Sequence, residues 1–418
     1  MRNETKQLSL AQRLRSAARL ITRGTVDLPD PKKGTFSSLY SAAESGVIVN
    51  HDTALTLSAV YAAVRLISEL RASFPLEVVE DQGKLRIPLD DHEVKQLLMR
   101  PNSYMNQYTF DQYSESLVQL WGNSVSIIRR DFRQRISEMI PVHTQYVNPV
   151  MVDGKPMYKV DDQLTGIKGT FFPEEVVHFR NMTSNGIWGK DPISLARESV
   201  GLGLAAEVFG SKFFKRGGNL KGVLETANHL EDETFSKFKN RWDKFYAGDA
   251  GDFSVPILEY GMTYKALGIP PEAAQFIATR QFQLQDIARW FNVPPHLLAD
   301  LSRATFSNIE HSDLQFVKYT MRSILKSRET ELETKLLDPK DYGKIRIRYN
   351  IDGLLRGDLA SLTAHLKEMV TVGVLTRNEA RNKLNLNPLD GLDKPLEPAN
   401  ITGKNNESNN NNGESETL

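Results

Sequence analysis

The chain has 418 residues, too many for one small core, so two or three domains are expected. Hydrophobic residues make up 40% and charged residues 25%, the balance of an ordinary globular protein, and no apolar run approaches the roughly 20 residues that cross a bilayer. Fifty-two basic residues are matched by 52 acidic ones and cysteine is absent, which rules out disulfides and thiolate metal sites and argues against a tight grip on many phosphates.

Residues 1–35 read as an arm. Arg13, Arg15, Arg19 and Arg23 interleave with Leu10, Leu14 and Ile21, and this basic amphipathic pattern ends near Gly24 and the Pro29-Asp30-Pro31 break. An Arg-rich, acid-poor leader is either an organelle transit peptide or a partner-binding, partly disordered arm, and the second reading is preferred. From about residue 53 to about residue 180 the pattern is α+β. A helix carrying Val60, Val64, Ile67 and Leu70 ends before Pro75, and Asp90-Asp91-His92 reads as a turn leading into a helix. Strand-like runs follow at 76–79, 125–128, 157–160 and 176–179, separated by turns such as Asp153-Gly154.

Asp191-Pro192 opens a helix, with Asp as the N-cap and Pro at the favoured first position, and the Gly217-Gly218 pair stops it. Gly201, Gly203 and Gly210 inside it each cost about 1 kcal/mol relative to Ala. Either a neighbouring helix or chain approaches closely there, or a well-packed helix tolerates them. Residues 219–268 form a small αβ insert: a strand at 222–225, a helix with Phe235, Phe238, Trp242 and Phe245 at spacings of three and four, and a hairpin from 254–258 and 264–267. That aromatic stripe is read as core in preference to binding surface.

The next helix, about 271–291, is about 30 Å long. It closes on Ile287-Ala288-Arg289-Trp290-Phe291, and Asn292-Val293-Pro294-Pro295 stops it. A polar segment at 300–306 comes before Ser307 and Glu310, whose spacing is that of a capping box at the start of another helix. Leu314, Val317, Met321, Ile324 and Leu332 share one face of that long helix. Residues 344–349 alternate with period two as a half-buried strand. Leu355, Leu359, Leu362, Leu366 and Met369 then make a helical stripe ending near Gly373, and Thr376-Arg377-Asn378-Glu379 is a second capping box. From Thr402 onward the Asn/Glu/Ser tail has almost nothing apolar to bury and is expected to be disordered.

Catalytic motifs are missing. Residues 186–191 come nearest to a phosphate loop but lack its glycine spacing and its hydroxyl, and Gly201-Leu202-Gly203 lies inside a helix pattern without a third glycine. There is no H-E-x-x-H and no G-x-S-x-G. The eight histidines are scattered, with His296 and His311 flanking the 300–306 segment, and a polar or loop-supporting role is favoured over metal binding. No cofactor and no enzymatic activity are expected.

The segment IARWFNVPPHLLADLSRATFSNIEHSDLQFVKYT, residues 287–320, closely resembles the signature of portal proteins from long-tailed bacteriophages. Residues 55–67 look like that family's opening helix, and Leu120-Trp121-Gly122-Asn123 is similar to its "LWGN" strand opening. Gly189-Lys190-Asp191-Pro192-Ile193 stands where the family usually reads "GxSP", and Lys212-Phe213-Phe214-Lys215-Arg216-Gly217-Gly218 resembles its "FFxNG" helix exit with Arg216 in place of Asn.

The resemblance implies an α+β, multi-domain portal fold. It comprises the arm (1–35), a wing (36–190), a first stem helix (191–218), a clip (219–268), a second stem helix (269–291), a tunnel loop (292–307), a long helix with a wing strand (308–350), a helical crown (351–400) and a tail (401–418). It implies a dodecameric ring around a central channel at one capsid vertex, through which double-stranded DNA is packaged by the terminase and later ejected. Ser302, Arg303, Thr305 and Phe306 of the tunnel loop are the residues expected nearest DNA. The bland alternative is a loop that only turns the chain and packs Phe306 inward. Phe235, Lys239, Trp242 and Lys244 of the clip are expected to dock the terminase large subunit and later the head–tail adaptor. The other implied partners are major capsid and scaffold proteins; no membrane is involved, and the setting is the virion, with host cytoplasm during assembly. A different head–tail connector or baseplate structural protein is the alternative reading.

Overall fold

In the computed structural model, which describes residues 43–82, 86–215, 222–225, 232–233, 235–237, 239–240, 263–266, 272–301, 306–351, 359–384 and 386–396, helices come first, as the spacing of Val60, Val64 and Ile67 requires. Two units are distinguished, Met1–Tyr349 and Asn350–Leu418.

In the first unit, α1 (His51–Thr56) is opened by a reciprocal capping box between Asn50 and Thr53. α2 (Ser58–Ser73) buries Val60, Val64 and Ile67 and ends at extended Phe74, one residue before Pro75. β1 (Leu76–Asp81) and β2 (Arg86–Pro88) follow, then α3 (Glu93–Met99), whose first turn is capped by the His92 side chain accepting from the Val94 amide. α4 (Gln107–Trp121) packs along α2 and stops at left-handed Gly122. The central strand β3 (Asn123–Arg130) pairs antiparallel with β4 (Ile136–Val142) and β8 (Val176–Arg180). β5 (Val147–Val152), β6 (Lys155–Asp162) and β7 (Ile167–Phe171) form a second antiparallel sheet. Asp153 and Gly154 both have positive φ in the expected turn between β5 and β6. Val125, Ile127, Val142, Val160 and Val176 come from both sheets and fill one core.

The helix expected from Asp191 is broken. α5 (Pro192–Leu195) is separated from α6 (Arg197–Lys215) by a turn at Ala196, which lets Ile193, Ala196 and Val200 all stay buried. Close approach explains two of the helix glycines. A methyl on Gly201 would lie 2.5 Å from the Ala43 Cβ, and one on Gly203 would lie 2.9 Å from both Leu57 and Gln283. β9 (Gly222–Glu225) pairs antiparallel with β10 (Thr263–Ala266), while 254–258, the expected hairpin partner of that strand, lies outside the described residues.

α7 (Glu272–Trp290) packs along α6, with Arg280 and Glu207 3.2 Å apart. α8 (Phe306–Gln315) begins two residues earlier than a cap at Ser307 would place it, so Ser307 lies inside its first turn. It runs through a π-helical turn, Phe316–Met321, into α9 (Arg322–Leu336). That wider turn displaces the buried stripe: Leu314 is 55% exposed, and Phe316, Met321, Leu325 and Leu332 take the inner face. β11 (Ile345–Tyr349) alternates buried and half-buried residues as its period predicts and pairs with β1.

α9 covers two sheet edges with its carboxylates. Glu329 accepts from the Tyr349 amide and Glu333 from the Ile347 amide, while Glu331 accepts from the His178 amide on β8. Edge donors that would otherwise invite pairing are thereby satisfied. Between α2, α4, α9 and β11 lies a buried ionic network. Arg71, fully buried, donates to Asp111 (2.8 Å), Glu115 (2.9 Å) and the Tyr349 hydroxyl (3.1 Å), and Arg328 donates to both oxygens of Glu115 (3.0 and 3.1 Å). The Phe179 ring lies against both guanidiniums, 4.6 Å from that of Arg71 and 5.4 Å from that of Arg328.

The second unit contains α10 (Leu359–Thr371), Gly373 with positive φ, and α11 (Arg377–Lys383), opened by the expected capping box between Thr376 and Glu379. Asn378 folds the following segment back on this helix through the Leu389 carbonyl and Asp393.

Candidate functional site

Two of the short motifs meet although 66 residues separate them. The Asn123 amide donates to the Gly189 carbonyl (2.8 Å) and its oxygen accepts from the Gly189 amide (2.7 Å). The segments fit because both sides are glycine: a Cβ on Gly122 would lie 2.1 Å from the Lys190 carbonyl oxygen, and one on Gly189 would lie 2.1 Å from that of Gly122. Asp191, at the end of the second motif, accepts from the Ser194 amide as the N-cap of α5 and also meets His51 Nε2 at 2.9 Å. The His51 ring stacks on Trp121 with centroids 3.5 Å apart, so the junction also fixes α1.

His178 completes the junction from below. With the Asn123 oxygen already accepting from Gly189, His178 Nε2 donates to it at 3.0 Å, and Nδ1 accepts from the Tyr158 hydroxyl at 2.9 Å. Burial, reinforced by Arg180, Lys335 and Arg328, holds this imidazole well below its ordinary value. The unfolded chain titrates near pH 6.5, so below that pH it binds the proton that the fold refuses, and stability falls as pH falls. About 1 kcal/mol is expected to be lost between pH 7.5 and 5.5. Thermal melts at the two pH values check this, and His178→Gln is expected to flatten that part of the profile.

The second candidate region is the set of supports on either side of residues 302–305. Two residues beyond the end of α7, Asn292 adopts the left-handed conformation (φ 51°). Its side-chain amide donates to the Thr320 hydroxyl (2.8 Å), which in turn donates to the Asn292 carbonyl (2.9 Å), fastening the end of α7 to the π-helical turn. A 3₁₀ turn, Pro295–Leu298, is closed by left-handed Ala299, and His296 Nε2 meets Asp313 of α8 at 2.8 Å. Gln285 reaches across to Asp300 at 3.2 Å. Between these clasps is a cleft of about 550 Å³ lined by Asn292, His296, Ser312 and Tyr319.

Of the loop residues singled out in the sequence, Ser302, Arg303 and Thr305 lie outside the described residues, and Phe306 opens α8. In the insert, Phe235 and Lys239 fall in a helical stretch, and Phe235 is 55% exposed, contrary to its expected place in a core stripe. Trp242 and Lys244 lie outside the described residues. His296 supports the loop as expected, but its partner is Asp313 and His311 is exposed. Sequence reasoning missed Asn123, His178 and Thr320; only Asn123 had a signal, its place in a motif.

Among the described residues no group of three or more His, Asp or Glu side chains could hold a metal ion, and no helix is long and apolar enough to cross a membrane. Residues 58–385 match the family described as Phage portal protein. The portal protein of Enterobacteria phage HK97 is 30% identical over 357 residues, 84% of each chain. Two solved structures share the fold. An HK97-family phage portal protein from Corynebacterium diphtheriae superposes with a TM-score of 0.52 and 18% identity, covering 73% of this chain and 96% of that one. A chain from the neck of a native GTA particle, computed with C12 symmetry, gives a TM-score of 0.54 and 19% identity over 91% of this chain and all of that one.

Proposed function

This chain belongs to the phage portal protein family, and from that premise we propose that twelve copies close into a ring at one capsid vertex and conduct double-stranded DNA inward during packaging and outward at ejection. The observation that carries the reading is the double clasp, Asn292–Thr320 and His296–Asp313, which fastens the segment before residues 302–305 to the helix that follows them. A short polar loop so supported suits a narrow point of a channel. Ser302, Arg303, Thr305 and Phe306 are its DNA-facing residues, with Arg303 meeting phosphates transiently and no base read. The chain's zero net charge agrees with a conduit through which DNA slides.

In this reading 36–190 with 308–350 form the wing, 191–218 and 269–291 the stem, 219–268 the clip and 351–400 the crown. Phe235, Lys239, Trp242 and Lys244 dock the terminase, and exposed Phe235 suits such a role. Portal proteins are structural, so ATP hydrolysis falls to the terminase. Each subunit meets its neighbours through two different faces, as a closed ring requires.

Light scattering with negative-stain imaging tests the ring. Twelve chains of 47.2 kDa should weigh about 570 kDa and show an open central channel. A closed dimer without a channel would overturn the proposal. Arg303→Ala is expected to lower packaging or genome retention in assembled particles, and unchanged values would remove Arg303 from the channel.

A further inference from the structure

The outer face of the π-helical turn and α9 has a composition unlike that of the whole chain. Lys318, Tyr319, Arg322, Ser323, Lys326, Ser327 and Thr330 are all exposed, and no carboxylate interrupts them. The two acids nearest this face are largely buried. Glu329 accepts from the Tyr349 amide through one oxygen and lies 3.4 Å from Lys326 through the other, and Glu331 serves the His178 amide and lies 3.8 Å from Arg180. Four cations, Lys318, Arg322, Lys326 and Arg180, line a groove of about 650 Å³ with Ser323, Ser327 and Thr330 and a single carboxylate, Glu331. In a chain with balanced charge, this is a local excess of cations with hydroxyls between them.

The spacing is regular. Lys318, Arg322 and Lys326 recur every fourth residue, so they stand about 6 Å apart along the axis and span about 12 Å. The strand-wise phosphate spacing of a duplex is about 3.4 Å along its axis, so such a row faces three to four successive phosphates. Lys318 and Tyr319 lie in the π-helical turn, a distortion found often at functional sites, and Thr320 pins that turn to Asn292. The turn swings the stripe so that Val317 and Met321 face inward while Tyr319 remains 64% exposed beside Lys318.

We infer that this groove is a second nucleic-acid contact, in which Lys318, Arg322 and Lys326 hold the phosphate backbone and the neighbouring hydroxyls hydrogen-bond to it. Contact of this kind positions a strand without reading its sequence. The face begins 13 residues beyond Thr305, roughly 20 Å along the helix, and is therefore distinct from residues 302–305. It stands whether or not that loop meets DNA.

The test is fluorescence anisotropy of a labelled 30-base-pair duplex with the full-length chain, titrated at salt concentrations from 50 to 200 mM. The comparison is with the triple variant Lys318→Gln, Arg322→Gln, Lys326→Gln. Removing three phosphate contacts is expected to reduce the slope of log affinity against log salt by about 2.7, equivalent to roughly 40-fold over that range. A variant keeping the charge, Lys318→Arg with Lys326→Arg, should bind like the parent. Matching thermal melts establish that the exposed substitutions leave the fold intact. An unchanged slope in the triple variant would overturn the inference. If Arg303→Ala abolishes the salt dependence and the triple variant does not, the channel reading stands and this one falls. If a glutamate-rich peptide of equal charge displaces the duplex at stoichiometric concentration, the groove is a site for an acidic protein and the nucleic-acid assignment is wrong.

Discussion

Replacing Glu115 by Ala is expected to destabilise the first unit by about 3–5 kcal/mol, the usual cost of removing one member of a buried ionic network. The side chain is fully buried and accepts from Arg71 and from two nitrogens of Arg328, so its loss strands two guanidiniums away from water. Asp111 offers little relief, because it already accepts from Arg71 and burial pushes its own pKa up. Burial alone would raise the Glu115 carboxyl as well, but Arg328 and Arg71 outweigh it and hold the group down to about 2. The sign follows: the group contributes stability above its unfolded value near 4.5, and the contribution is lost as pH falls from there towards 2. The full difference is worth about 3 kcal/mol. Urea unfolding at neutral pH measures the Ala variant. Glu115→Gln should flatten the acid limb of the stability profile, and an unaltered limb would show that other carboxylates govern it.

Gly122→Ala and Gly189→Ala are expected to cost roughly 2–5 kcal/mol each, from overpacking and, at Gly122, left-handed backbone strain. Their reach is the reason. At each site the new methyl would lie 2.1 Å from a backbone carbonyl oxygen of the facing segment, and backbone cannot swing aside as a long side chain does. Separation would break the Asn123–Gly189 hydrogen bonds and loosen His178 with them. Gly154→Ala is the control, with nearly the same positive φ (75° against 74°) and nothing within 4 Å, so its expected loss is only about 1–2 kcal/mol. Equal losses at Gly122 and Gly154 would mean that the two motif segments part without cost.

The buried charges were legible in principle. Arg71 continues the stripe of Val60, Val64 and Ile67 by one more turn, and Arg328 falls between Leu325 and Leu332, so helical period alone puts both guanidiniums inside. Glu115 lies just N-terminal to buried Leu117 and Val118 on α4. A charged residue on an apolar stripe signals a partner, but nothing local says which residue supplies it. The π-helical turn left no such mark, since Phe316–Met321 is an unremarkable helical sequence without Pro or Gly. What holds it in place is the pair of hydrogen bonds between Thr320 and Asn292, 28 residues away.

What the sequence determined by itself is whatever depends on neighbours within a turn or two. The period of Val60, Val64 and Ile67, the Asp191 cap, the Asp153-Gly154 turn, the box at Thr376 and the alternation of β11 are all local, and short-range sterics and hydrogen bonding suffice for them. The motifs also carried the family, because their order along the chain is itself a sequence property. The tertiary structure decided what closes over long loops: the fit of Gly122 against Gly189, the neutral His178 under it, the break at Ala196 and the pairing of β9 with β10. These depend on packing between segments brought together from a distance. Close-packed interiors admit few such arrangements, and the choice among them depends on the whole core at once.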